Sequence, residues 1–324
     1  MTVVARPNIS AGTSTAETAG RTGKRMSRIR YLVAVTAVGA LLAGCGERVG
    51  QEPAGRGQAV ETGPAAGTPQ VDPVALIGSW KVAEVDGGED VVLRLAADKS
   101  NDLLLFGPCA VLMGSWRADA SGLFLADVPG HTAAGDGRAC RSGAQVTDAW
   151  LRRAVAFRVE GDSPVLLDSQ GMRVARLLPG ARPAPGPNLL PALAEPPEVT
   201  DEVRRALAPA AALPGNLVPA RRETLLGRWV PADGRTWPWQ KEPYVELRDD
   251  GEWRGSDGCN GQGGRWVAGP EGAFLATAGP STLIGCDNVS VGSWLSAAWR
   301  AGLDGKTLVL LDAQGKETGR LRRG

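Results

Sequence analysis

Gly255-Ser256-Asp257-Gly258-Cys259-Asn260-Gly261-Gln262-Gly263-Gly264-Arg265-Trp266 is the stretch around which the fold of this chain can be read. So much Gly, interleaved with Asn and Asp, predicts a tight turn needing positive φ at several positions, not a helix or a flat strand. Strands are expected on either side, over 251–254 and 265–267. A cysteine in such a turn is expected to be fixed covalently. The next one, Cys286, follows Thr282-Leu283-Ile284-Gly285, and a weaker copy of the arrangement surrounds Cys109 and Cys140.

Working outward, the copy extends over most of the chain. Leu76-Ile77-Gly78-Ser79-Trp80 matches Leu225-Leu226-Gly227-Arg228-Trp229. Cys109, Trp116 and Phe124 recur 150 residues later as Cys259, Trp266 and Phe274. Trp150-Leu151 and Leu166-Leu167-Asp168 recur at a spacing of 144, as Trp294-Leu295 and Leu310-Leu311-Asp312. An insertion near 131–138 accounts for most of the change in spacing. This is a tandem duplication, expected as two domains and not a solenoid. Each copy predicts short strands, one late helix and two or three further strands, an α+β, strand-rich class. Thr147 and Ser290 are the expected caps of the two helices. Six Trp at matched places (80, 116, 150, 229, 266 and 294) are expected in the cores.

The expected organisation is a signal peptide at 1–44, a tether at 45–73, a first domain at 74–179, a Pro-rich linker at 180–222 and a second domain at 223–324. Lys24, Arg25, Arg28 and Arg30 precede an apolar run over 31–42, which ends in Leu42-Ala43-Gly44-Cys45. A basic segment, a short apolar run and small residues before a cut site make a secretory signal. The run is too short to span a bilayer comfortably. Leu-Ala-Gly-Cys resembles the bacterial lipoprotein signal, which predicts lipidation of Cys45; an ordinary signal with an incidental Cys is the alternative. Met26 would be a natural start of translation, which makes 1–25 an expected artefact. Residues 46–73, with almost no large apolar side chains, predict a flexible tether. Ten of the 23 prolines lie in 179–219, expected as a semi-rigid spacer and not a core element. Within it, Thr200 is placed to cap two helical turns.

The chain has a net charge of +1. Residues 1–44 hold six of its 36 Lys/Arg and one of its 35 Asp/Glu, so the remainder carries −4. That balance argues against a general nucleic-acid or anionic-lipid binder.

Gly227/Trp229, Gly258-Cys259-Asn260, Gly264/Trp266 and Thr282/Cys286 together resemble the META domain, whose family includes the heat-shock-inducible META lipoproteins of bacteria. The first copy departs from the pattern, with Gly107-Pro108-Cys109-Ala110 in place of Gly-Cys-Asn and Asp136 in place of the Thr. The resemblance implies a compact antiparallel sheet or barrel with one packed helix, and it brings no catalytic residue or cofactor.

Four cysteines besides Cys45 allow three pairings. Duplication makes Cys109–Cys140 with Cys259–Cys286 the economical one, and export favours oxidation. Reduced thiols and a four-thiolate metal site are the alternatives, although the C-x-x-C spacing of structural zinc is missing. His131 is expected in a loop. Asp249-Asp250, and Asp86 with Glu89-Asp90, are expected as solvated turns, with paired-carboxylate hydrolysis the sharper alternative. Trp237-Pro238-Trp239 is either a recognition surface or a flap over the open end of the sheet. The expected role is non-enzymatic: binding or stabilising something at the cell envelope under stress. Attachment is expected through the lipid, on the extracytoplasmic face. An inhibitor or sensor of a secreted protein, or an envelope-polymer hydrolase, would be the alternatives.

Overall fold

The computed structural model describes residues 70–85, 91–97, 102–107, 110–133, 148–183, 190–233, 241–282, 284–285 and 288–324. The first half runs β1 (Gly78–Ala83), β2 (Val92–Leu95), β3 (Asp102–Phe106), β4 (Ala110–Ala118), β5 (Phe124–Ala133), α1 (Ala149–Arg153), β6 (Ala156–Glu160), β7 (Ser163–Leu167) and β8 (Arg173–Leu178). A strap follows, holding α2 (Asp201–Ala206), β9 (Val218–Pro219) and α3 (Arg222–Leu225). The second half runs β10 (Gly227–Pro231), β11 (Tyr244–Leu247), β12 (Glu252–Ser256), β13 (Gly261–Ala268), β14 (Phe274–Ala276), α4 (Val291–Ala297), β15 (Arg300–Asp304), β16 (Thr307–Leu311) and β17 (Glu317–Arg323).

The fold is α+β and strand-rich, with one antiparallel sheet per half. The strand orders are β5-β4-β3-β2-β1-β8-β7-β6 and β14-β13-β12-β11-β10-β17-β16-β15-β9. They are the same order twice, with β9 added at one edge. Bridges Leu123↔Ala156 and Ala273↔Arg300 join the edges at one end, so each sheet curls into a partly closed barrel.

Alternation explains the second sheet. Val245, Leu247 and Trp253 point into the core, while Glu246 and Arg254 pair across the exposed face. Two of the duplicated Trp pairs pack alike in each half. Nε1–H of Trp80 donates to Leu76 O at 2.9 Å and that of Trp229 to Leu225 O at 2.7 Å. Trp116 stacks on Phe124 at 6.4 Å and Trp266 on Phe274 at 6.3 Å. A buried indole needs a partner for its N–H, so each Trp sets the path of a neighbouring chain as well as filling volume. Trp294 is the exception, half-buried against the second core.

Three expectations are corrected. Residues 261–264 of the Gly-rich stretch are strand, paired in register with β12; the turn shrinks to 257–260, and Gly258 (φ +105°) is the one positive-φ residue in the stretch. Gly264 serves close approach instead: a Cβ there would lie 2.2 Å from Thr277 O. Ser290 occupies the N-cap position of α4, but its side chain caps nothing, because its backbone (φ −71°, ψ 51°) is not extended. Thr147 lies outside the described residues. Thr200 does cap α2, accepting from Val203 N at 3.2 Å.

The Pro-rich stretch, third, is part of the core and not a bare spacer. Val203 and Leu207 are fully buried in the core of the first half, and Leu213 and Leu217 pack on Val309 and Leu311 of the second. The Pro-rich composition hid apolar residues at wide spacing, each of which finds a hole. Residues 62–324 form one compact unit, so the halves are not independent bodies.

The halves meet through the same patch on each side. Leu123 and Leu125 pack with Ala273 and Leu275, their counterparts at the spacing of 150, and with Val267. Arg117 donates to the carbonyls of Ala276 (3.2 Å) and Ser296 (2.5 Å). Arg265 donates to those of Ala126 (2.7 Å) and Arg152. Residues 126 and 276 are counterparts, as are 152 and 296. Thr277 Oγ1 donates to Asp127 Oδ2 at 3.0 Å, and these two are counterparts of each other. Reciprocal contacts of this kind are the mark of a local two-fold.

Candidate functional site

Two places gather polar side chains: the 257–260 turn and the cleft between the halves. At the turn, buried Asp257 accepts through Oδ1 from the backbone N–H of Cys259 (2.9 Å) and Asn260 (2.6 Å), an Asx-type turn. Its Oδ2 accepts from the amides of Asn288 (2.9 Å) and Asn260 (3.1 Å). Burial pushes this carboxyl up, but the hydrogen bonds from Asn260, Cys259 and Asn288 outweigh it and hold the group below its ordinary pKa.

Asn260 completes the knot. Its Oδ1 accepts from Thr282 Oγ1 (2.8 Å) and Ile284 N (2.7 Å), and its Nδ2 donates to Ile284 O (3.1 Å). Gln262 Oε1 accepts from Gly292 N in the first turn of α4. The turn is thereby laced to the segment leading into α4. Gly258, Asn260 and Thr282 lie together here, with Asn260 accepting from Thr282 in the turn that Gly258 opens. Asp257, Gln262 and Asn288 belong to the same cluster, and the signal for Asp257 was an acid two and three residues before N–H groups in a Gly-containing turn.

Cys259 is disulfide-bonded. Cys286, Cys109, Cys140, Cys45, Trp237 and Trp239 lie outside the described residues, as do Asp86, Glu89 and Asp90. His131 is exposed on β5, opposite Leu112, and so lies in a strand where a loop was expected. Asp249 and Asp250 form the β11–β12 turn. Oδ1 of Asp250 accepts from Glu252 N at 2.9 Å and its Oδ2 pairs with Arg248 at 3.0 Å, as a solvated turn requires.

The cleft between the halves encloses about 710 Å³. Arg152, Arg153, Arg222 and Arg265 line it from both sides, with Asp168 and Trp266. Arg152 is held by Glu252 at 2.6 Å, and Arg222 lies 5.0 Å over the Trp266 ring. Burial lowers the pKa of Arg265, and the charge of Arg152 adds to that. Deeper in the interface, burial brings the Arg117 guanidinium down to about 10, against the pull of Asp119. Arg117 stays charged at neutral pH, its face 4.7 Å from the Trp299 ring. Among the described residues no three His, Cys, Asp or Glu stand close enough to hold a metal ion.

No protein family, curated protein or solved structure matches this chain.

Proposed function

We propose that this chain is a non-enzymatic envelope lipoprotein, built from two META-like repeats, that binds or stabilises a component outside the cytoplasm. The leader ending in Leu42-Ala43-Gly44-Cys45 supports export and lipid attachment at Cys45. The observation that carries the proposal is the disulfide at Cys259, since structural disulfides persist in oxidising compartments. The polar motif of the second repeat is structural, which speaks against a catalytic site there. Asp257 and Asn260 spend their hydrogen-bonding capacity on holding a turn, which leaves no poised acid or base there. Among the described residues no helix is long and apolar enough to cross a membrane. In this proposal the anchor is the lipid at Cys45.

Cys45→Ser tests the anchor. The variant is expected to leave the membrane fraction or to accumulate unprocessed; normal processing and membrane fractionation would overturn the lipoprotein assignment. Non-reducing peptide mapping of protein taken from the envelope tests the redox assignment. Cys259 is expected in a disulfide-linked peptide, with Cys286 as the economical partner, and four free thiols would refute export to an oxidising compartment.

A further inference from the structure

The local two-fold makes two clefts between the halves, and the chain itself fills one of them. On that side the strap crosses from the first half to the second over 207–213. Ala211 N donates to Ala313 O at 2.9 Å, and Arg300 Nε donates to Ala211 O at 3.2 Å. A Cβ on Gly315 would lie 3.5 Å from the Ala211 Cβ. The counterparts of Arg300, Ala313 and Gly315 are Ala156, Ser169 and Gly171. All three line the open cleft, and a Cβ on Gly171 would meet nothing within 4 Å. The two sides therefore share a backbone frame, and one holds an extended segment, Leu207-Ala208-Pro209-Ala210-Ala211-Ala212-Leu213.

We infer that the open cleft is a docking site for an extended peptide segment of small residues and proline, supplied by another protein. The Ser169 carbonyl takes the place of that of Ala313, as acceptor for a peptide N–H. Arg153 supplies what Arg300 supplies on the filled side. Its side chain is exposed, makes no hydrogen bond or ion pair with a described residue, and can donate to peptide carbonyls from the wall of the cleft. Proline and small residues suit such a groove because the segment is nearly extended before it binds and loses little entropy in docking. The Asp168 side chain does not compete for the peptide N–H groups through Oδ1, which accepts from Gln170 N and Met172 N at 2.9 Å each.

The inference deepens the binding role proposed above and names its site, but it does not depend on the lipid. The test uses the mature chain and a synthetic octapeptide with the sequence of residues 207–214, capped at both ends, followed by calorimetry. Saturable binding at one site is expected. Ser169→Trp, at an exposed turn, is expected to weaken it at least about tenfold by filling the cleft, and Arg153→Met about threefold, with unchanged thermal unfolding in both. Absence of saturable binding, or binding that Ser169→Trp leaves intact, would overturn the site while leaving the lipoprotein proposal standing. Self-association of the mature chain that Ser169→Trp abolishes would also overturn it, by giving the cleft to a second copy of the strap.

Discussion

The β3–β4 hairpin of the first half and the β12–β13 hairpin of the second descend from one ancestor and solve the same problem in opposite ways. In the first, both faces are apolar. Leu103 and Leu105 enter the main core, while Leu104, Phe106 and Val111 face outward and are covered by Leu193 of the strap. In the second, the counterparts of those three outward residues are Arg254, Ser256 and Gly261, and no strap is needed. That hairpin is held at its tip by the Asp257–Asn260 knot and a disulfide. One copy is stabilised by burial under added chain, the other by a directional polar cluster. A duplicated fold can thus hold one hairpin by either means, provided that other parts of the chain cover an apolar outer face.

The largest effect should come from breaking what the halves share. Leu275→Asp would place a carboxylate in the small core between them, against Leu123 and Leu125. A cost of about 4 kcal/mol is expected for an unpaired buried charge. Calorimetry should then resolve two transitions where the wild type shows one. A single transition in both proteins would mean that the strap, more than the interface, couples the halves. Limited proteolysis of the wild type within 179–219 should likewise leave the fragments associated.

Asp257→Asn comes next and should lower the single transition of the whole unit, since the halves unfold together. It replaces one acceptor oxygen by an amide group amid five donors, at an expected cost of about 2–4 kcal/mol. A smaller loss, about 1–2 kcal/mol, is expected for Leu193→Ala. That change should also raise binding of a hydrophobic dye, because the outer face of the first hairpin is uncovered. An equal dye response from Asp257→Asn would blur the contrast between the two hairpins.

The mildest test is acid. The folded pKa of Asp257 is depressed, so its contribution is fully present above the ordinary carboxylate pKa of about 4 and is lost as pH falls through the folded value. Stability should decline below about pH 4 in the wild type, and Asp257→Asn should flatten that part of the profile. Parallel profiles would show that the knot owes nothing to charge.

The duplication, the strand-rich class, the late helix and most of the buried Trp were legible in the residues, because these depend on spacing and on side chains that have few places to go. The matched indole contacts of Trp80 and Trp229 show how strongly such residues constrain their surroundings. The Gly-rich stretch was legible as special but not in its reason: Gly264 answers to the Thr277 carbonyl just past β14, which local sequence does not contain. Only the tertiary structure decided that the halves pack about a two-fold and that the Pro-rich strap is core. Nothing in the local sequence marks Arg117 and Arg265, to which the other half presents the Ser296 and Arg152 carbonyls. Local pattern reports what a segment can hide from water; what it hides against is set by distant chain, and so are the two clefts, one filled and one open.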